Sequence, residues 1–188
     1  MRDNIQTAVE HWRPVVDWEN FYEVSQLGRV RRTARGASTR PGTILCPMSC
    51  GGHPGRRGYK QVTLCRPGFK KNIKLHRLVV EAFVGRLEPR EQVDHINGNP
   101  SDCRVSNLRV VTGAQNAKNR RINQNNTAGA KGVHLHKRSQ KYVARIQVDG
   151  KRLQLGEFTS LEAAAAAYRS AALLHFGPLA REACDAAA

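Results

Sequence analysis

What this chain lacks narrows it first. Aromatic residues fill only 6% of its 188 positions and hydrophobic residues 40%, so any single core is modest. Small modules fit such a composition better than one large enzyme domain. Acid is absent over a long stretch: from Val24 to Val80 there are thirteen Lys and Arg and not one Asp or Glu. No apolar run approaches the length of a membrane span, and the N-terminal MRDNIQTAVEHWRP lacks the apolar core of a signal peptide. The expectation is an intracellular, cytoplasmic protein without membrane attachment. The five cysteines (46, 50, 65, 103, 184) are odd in number, and a reducing compartment predicts free thiols.

What is present in excess is positive charge. Thirty-one Lys and Arg face fifteen Asp and Glu, a formal net charge of +16. That imbalance calls for a polyanion, with nucleic acid the first choice and an anionic membrane surface the second. The acid-free stretch reads as a surface turned toward such a partner.

Periodicity places the elements. In residues 12–35, WRPVVDWENFYEVSQLGRVRRTAR, the aromatics and Val24 supply a small apolar cluster. The Leu-Gly turn at 27–28 leads into an alternating segment, with Val30 inward and Arg29 and Arg31 outward. Gly and Pro punctuate 36–58, which predicts loops or irregular short strands. YKQVTL (59–64) and KNIKLH (71–76) alternate as strands joined through Pro67-Gly68, and LHRLVVEAFVG (75–85) suits a short helix stopped by Gly85. REQVDH then reads as a strand, Asn97-Gly98 as a turn, and NLRVVT (107–112) as the partner strand. A capping-box pattern at Thr112 and Gln115 starts a helix expected to run through QNAKNRRINQ. After the polar stretch 123–130, the segments KGVHLHKR, KYVARIQVDG and KRLQLGEF predict three strands, with Asp149-Gly150 as a hairpin turn. The helix that follows is expected to be capped by Thr159 with Glu162 and stopped by Gly177-Pro178, with Leu161, Ala165, Tyr168, Ala172 and Phe176 on one face.

Chemistry concentrates in VDHINGNPSDCRVSNLRVVTGAQN, residues 93–116. Cleavage of a phosphodiester with a hard divalent ion needs oxygen ligands for the ion and a base for the attacking water. Carboxylate and amide oxygens suit Mg²⁺, and neutral histidine is tuned for proton abstraction near pH 7. Asp94 and His95 are neighbours on the predicted strand, Asn107 opens the second strand, and Asn116 lies one turn into the helix. In spacing and order, LHRLVVEAF…VDHINGN…SNLRVVTGAQN (75–116) resembles the HNH endonucleases, in the branch found among phage and intron homing endonucleases. The resemblance implies a ββα-metal core in which Asp94 and Asn116 bind one Mg²⁺ (or Mn²⁺) per active site and His95 is the general base. Asn107 would orient the loop that carries His95, and Asn119 and Arg120 would approach the phosphate. Asn116 stands where the family's last letter expects histidine, a substitution that occurs in the homing branch. His76 recurs in the family context and is read as structural, being at a helix start.

Two flanking segments carry resemblances of their own. W…YEVSQLGRVRR (12–32) resembles a short modular motif that accompanies HNH homing endonucleases, which implies DNA contact by Arg29, Arg31 and Arg32. Residues 129–178 resemble the AP2 DNA-binding domain, three antiparallel strands on one helix. Alternation sorts that module: Val133, Leu135, Tyr142, Ala144, Ile146, Leu153 and Leu155 face the helix. His134, His136, Arg145, Gln147, Arg152 and Gln154 face out, where a sheet can enter a major groove, with Arg138 nearby. The outward arginines and tryptophans usual in plant AP2 domains are partly replaced by His and Gln. Cys46, Cys50, His53 and Cys65 have an unusual C-x₃-C spacing, and zinc is not expected there.

The expected organisation is therefore α+β: a basic β-rich module at 1–74, an HNH core at 75–122, a linker at 123–128, an AP2-like module at 129–178 and a tail at 179–188. The expected function is metal-dependent, site-selective nicking of double-stranded DNA by a monomer, in a bacterial or phage-infected cell. The rival readings are a non-catalytic, AP2-like DNA-binding regulator and a binder of structured RNA.

Overall fold

Strands in this chain are short because its apolar alternation is repeatedly cut by Gly, Pro and paired charges, and the sheets stay small in consequence. The computed structural model describes residues 9–36, 39–51, 58–119, 122 and 125–180. It is a mixed α+β structure in two compact units, Met1–Thr112 and Gly113–Ala188. No helix is long and apolar enough to cross a membrane among the described residues.

The first unit starts with β1 (Trp12–Pro14), β2 (Tyr22–Ser25) and β3 (Val30–Arg32), an antiparallel sheet in that order. Val24 pairs with Val30 across it and both are fully buried. A second antiparallel sheet holds β4 (Met48–Cys50), β5 (Tyr59–Arg66) and β6 (Phe69–Lys74). β6 runs directly into α1 (Leu75–Phe83), after which β7 (Glu91–His95) pairs antiparallel with β8 (Leu108–Thr112). The helix α1 has no side-chain N-cap and no acid in its first turn. Burial holds it instead: Leu75, Leu78, Val79 and Val80 are all at most 3% exposed, each contributing up to about 1.5–3 kcal/mol of transfer free energy. Gly85 takes φ +145 and ends the helix where the sequence predicts a stop.

One apolar cluster joins these parts. Val24 and Val30 of the first sheet, Val62 and Leu64 of β5, Leu78 and Val79 of α1, and Cys103 and Leu108 beyond β7 belong to the same core. A polar hub ties β2 to β5 inside it. The Tyr22 hydroxyl accepts from the Cys65 amide at 3.0 Å and donates to the Cys65 carbonyl at 3.1 Å. Arg32 adds its own bonds to the Tyr22 hydroxyl, the Cys65 carbonyl and, at 2.8 Å, the Ala34 carbonyl.

Gly28 closes the β2–β3 turn against the loop after β7. Its φ is +76, and a Cβ there would sit 2.9 Å from the Cys103 carbonyl oxygen and 3.0 Å from the Cys103 Cβ. Backbone cannot yield as a flexible side chain does, so only glycine fits both the turn and the contact. The same junction is pinned by the Val105 amide, which donates to the Gln26 carbonyl at 2.8 Å.

The second unit opens with α2 (Gly113–Lys118), shorter than the helix predicted through residue 124; residues 120, 121, 123 and 124 lie outside those described. Lys131 donates to the Lys118 carbonyl at 2.8 Å, and the Lys118 ammonium lies 4.6 Å over the Phe176 ring. β9 (Val133–His136), β10 (Lys141–Val148) and β11 (Lys151–Phe158) form an antiparallel sheet in the order β9-β10-β11, packed against α3 (Leu161–Phe176). The cap of α3 is Ser160, whose hydroxyl accepts from Ala163, and not Thr159. The buried face is close to the expected one: Tyr168 and Ala172 are buried and Leu161 and Phe176 pack beside them, with Ala164 taking the place expected of Ala165. Val133, Tyr142, Ala144, Ile146 and Leu155 pack on it, whereas Leu135 and Leu153 are 38% and 39% exposed. A register shift between Ala144 and Arg145 leaves Leu155 unpaired in the ladder and explains how strict alternation fails there. Gly132 (φ +71) underlies Tyr168, whose ring a Cβ would meet at 2.1 Å.

Two consequences follow for stability. Gly28→Ala adds a left-handed-region penalty to a backbone clash, and should lower unfolding free energy by about 2–3 kcal/mol, read from denaturant midpoints. An unchanged midpoint would mean that the Cys103 loop does not rest on this turn. The second concerns His76, 5% exposed on α1. Burial, then the charges of His95, Lys74 and Arg77, lowers its pKa from 6.5 to about 3. The unfolded chain thus binds a proton from pH 6.5 downward that the folded chain refuses until near 3. Stability is intact above pH 6.5 and is lost as pH falls through that window, by about 2 kcal/mol at pH 5. Urea midpoints between pH 7 and 5 should fall more steeply for the wild type than for His76→Gln; parallel curves would remove His76 as the cause.

Candidate active site

The β7–β8 pair fixes two functional side chains in opposite directions, as neighbours on a strand must be. Asp94 stands across from Arg109 in the ladder. The Arg109 Nε and Nη2 both reach Asp94 Oδ2, at 2.9 and 2.8 Å, in a pair only 17% and 9% exposed at the side chains. His95 is 5% exposed and points the other way, toward α1 and β5. Its ring lies 5.1 Å from His76, edge to face, and 5.9 Å from Tyr59, while Tyr59 and His76 are themselves 5.1 Å apart. Burial lowers the His95 pKa from 6.5, against the upward pull of the Asp94 and Asp102 charges. The imidazole is therefore held neutral, the form that takes up a proton.

The loop after His95 is built from asparagine. Asn107, 7% exposed, accepts from the Asn97 amide at 3.0 Å and donates to the Asp102 carbonyl at 2.8 Å. Its backbone carbonyl accepts from Ile96 at 2.8 Å. Asn97 and Asn99 make local turns, accepting from the Asn99 and Ser101 amides at 2.8 and 3.2 Å. Asp102 is held by Arg104 and by the Asn97 amide group, and the Arg104 bonds depress its carboxyl pKa.

Two donor sets in this unit have ligand chemistry. Asp94 offers a buried carboxylate, the sort of single anionic oxygen ligand by which Mg²⁺ is usually held together with water and substrate phosphates. The Asp94 Oδ2 is already held by Arg109, so an ion there would share the carboxylate with a guanidinium. His76, His95 and Cys103, all buried, form a separate group whose ligand atoms lie within 4.8 Å of one another, a candidate metal site. Among the described residues, Cys46 is exposed, Cys50 and Cys65 are half-buried and all are free thiols, while His53 and Cys184 lie outside those described.

The other predicted residues separate into groups. Arg29 pairs with Glu10 and Arg31 with Glu23, the latter also stacking over Trp12 at 4.3 Å. Arg32 is 7% exposed and braces Tyr22 and Cys65. Asn116 and the buried Asn119 lie at α2 in the second unit, and Arg120 lies outside the described residues. In the β9–β11 sheet, register puts His134, His136, Arg145, Gln147, Arg152 and Gln154 on one face, opposite the side that packs on α3. Arg145 donates to Gln154 at 3.3 Å. Burial and the charges of Arg145, His136 and Arg152 lower the pKa of His134, a mark of crowded positive charge. Arg138 is exposed in the β9–β10 turn.

Sequence reasoning left out Tyr59, Cys103 and Arg109 and read His76 as structural. The pattern did hold a signal for Arg109, since a residue midway along the partner strand must face one on β7. Nothing in residue order foretells that Tyr59, His76 and Cys103 converge.

Comparison with known proteins agrees with this geometry. A model of the HNH endonuclease family matches residues 74–118, and the NUMOD4 motif matches residues 10–65. Protein 3.8 of Escherichia phage T7 is 32% identical over 120 residues, covering 64% of this chain and 93% of that one. DNA endonuclease I-HmuI of Bacillus phage SP01 is 28% identical over 140 residues, 74% of each chain. The solved structure of the HNH homing endonuclease I-HmuI superposes with a TM-score of 0.50 at 26% identity, covering 83% of this chain and 82% of that chain. With the strand pair, the adjoining helix and the Asp-His dipeptide all in place, this chain belongs to the HNH endonuclease family, and it is a nuclease.

Proposed function

We propose that the chain is a homing-type DNA endonuclease that hydrolyses one phosphodiester bond of a duplex at selected sites with Mg²⁺ or Mn²⁺. The observation that carries the reading is the pairing, at the end of β7, of a buried carboxylate with a buried neutral imidazole. His95 takes the proton of the attacking water at its unprotonated ring nitrogen. Asp94 presents a carboxylate oxygen to the ion, and the sequence pattern nominates Asn116 as the further oxygen ligand. HNH nucleases are metal-dependent, and a hard divalent ion supplies positive charge to the scissile phosphate and its leaving oxygen. Asn107 keeps the loop after His95 closed, which fixes the end of the strand that carries the base. In this reading Asn119 and Arg120 approach the phosphate.

Binding is assigned to the basic surfaces. Arg29 and Arg31 meet DNA phosphates from the N-terminal motif, and the guanidinium of Arg32 supports that segment from within. The β9–β11 sheet on α3 is taken as an AP2-like module that lays its His, Arg and Gln face, with Arg138 at its edge, in a groove. The module boundaries are those drawn from the sequence, and the chain acts as a monomer that nicks one strand.

The rival reading is a DNA-binding regulator without catalysis. Arg109 favours it, because that guanidinium already neutralises Asp94. A nicking assay separates the two on supercoiled plasmids selected by binding from a random-sequence library. Wild type with Mg²⁺ or Mn²⁺ should nick them, and His95→Ala should be slower by about 10²–10⁴-fold at unchanged affinity. Intact plasmid in both cases would favour the regulator.

The sheet is tested by salt dependence. Arg145→Ala and Arg152→Ala should each weaken duplex binding, and where the contact is to phosphate should reduce the slope of log affinity against log salt by about one. A replacement that leaves affinity, slope and site preference alone would take that face off the DNA. Competition by structured RNA in the same series tests the RNA reading.

A further inference from the structure

The group formed by His76, His95 and Cys103 has no part in the oxygen-ligand chemistry assigned to Asp94. Each residue comes from a different element: the first turn of α1, the last residue of β7 and the loop held by Asn107. All three are at most 5% exposed, and their ligand atoms lie within 4.8 Å of one another. The His76 Nδ1 is buried with no hydrogen-bond partner, an uncommon state for a polar atom in a packed core. Two imidazoles and a thiol make a soft donor set. Such a set suits zinc, which binds His at about 2.0–2.1 Å and Cys at about 2.3 Å in a tetrahedron. That geometry brings nitrogen and sulfur to roughly 3.5 Å, so side-chain movements of about an ångström close the site. Magnesium has no preference for these atoms.

We propose that His76, His95 and Cys103 form a zinc site that, when filled, withdraws His95 from the hydrolytic reaction. The fourth position is left to solvent. On binding, Cys103 releases its thiol proton to water and coordinates as thiolate, while each histidine uses a lone pair of its neutral ring. Burial keeps His76 neutral at physiological pH, so no proton has to leave it. The inhibitory half of the proposal rests on His95 being the base; the binding half does not. Zinc would thus oppose the activity that Mg²⁺ supports by occupying His95 on the face of β7 opposite Asp94.

The test uses the full chain freed of metal by a chelator, with Co²⁺ as a spectroscopic stand-in for zinc. One equivalent of Co²⁺ should produce a thiolate-to-cobalt band in the near ultraviolet, removed by one equivalent of Zn²⁺ and unaffected by excess Mg²⁺. Cys103→Ser and Cys103→Ala should both lose the band and bind Zn²⁺ about 100-fold more weakly, with folding checked by circular dichroism. His76→Gln should weaken zinc by a similar factor while keeping a weaker band. A triple replacement, Cys46→Ser, Cys50→Ser and Cys65→Ser, should leave the band in place. Survival of the band in Cys103→Ser, or its loss in the triple variant, would overturn the assignment. Plasmid nicking in Mg²⁺ supplies the second readout: Zn²⁺ should inhibit wild type and require about 100-fold more metal to inhibit Cys103→Ala, each compared with its own zinc-free rate. A band with no inhibition would overturn the regulatory half. A band in a chain that never nicks DNA would instead remove the nuclease mechanism and leave the site standing.

Discussion

The site depends on one buried amide. Asn107 bridges the two ends of the loop that follows His95, accepting from Asn97 and donating to the Asp102 carbonyl. No apolar residue of the same size could do this, because the groups it satisfies are backbone donors and acceptors removed from water. With the loop closed, Cys103 is carried into the core, Val105 reaches the Gln26 carbonyl, and Gly28 abuts the Cys103 backbone. The N-terminal sheet therefore supports the catalytic strand through this loop, and a surface turn at residue 28 bears on the position of His95.

A chain poor in large apolar residues has to bury polar ones as well, and this one does so in pairs. Asp94 is buried against Arg109, and His95 against His76 and Tyr59. Taking an ion pair out of water costs several kcal/mol, recovered only through close geometry, and removing one partner alone typically costs about 3–5 kcal/mol. Arg109 is thus more than a bystander to Asp94. Under the proposed function an ion at Asp94 would have to share that carboxylate with a guanidinium, which would temper its affinity. His95 meets the opposite condition, since burial outweighs the pull of the Asp94 and Asp102 charges and favours its uncharged form.

Much of this was legible in the residues, and the reasons are local. Alternation placed β5, β6, β7 and β8, Asp149-Gly150 marked the β10–β11 hairpin, and the Asn97-Gly98 turn followed from its dipeptide. What escaped depended on distance in sequence. Ser160 took the cap expected of Thr159, a one-residue difference that leaves Leu161, Tyr168, Ala172 and Phe176 on the packed face as the spacing requires. Leu135 and Leu153 became exposed because they sit on the two edge strands, while their partners Tyr142 and Ile146 on the central strand pack against the core. At the site, Asp94 and His95 stood out as neighbours, whereas Tyr59, His76 and Cys103 are brought together only by the fold.

The positive charge acquires a different meaning once the acids are located. Arg29 and Arg31, outward in the acid-free stretch, are met by Glu10 and Glu23 from just outside it. Surface pairs of this kind are worth little, about 0–1 kcal/mol each, so under the proposed function phosphate could displace the carboxylates. Both guanidiniums also lie over the Trp12 ring. On the sheet face of the second unit Arg145 bonds to Gln154, and burial, followed by the charges of Arg145, His136 and Arg152, pushes His134 toward the neutral form. Under the proposed function the two basic surfaces would bind in different ways. One would exchange an internal counter-ion for phosphate and the other would relieve its own repulsion, so binding by the second should gain more as salt is lowered.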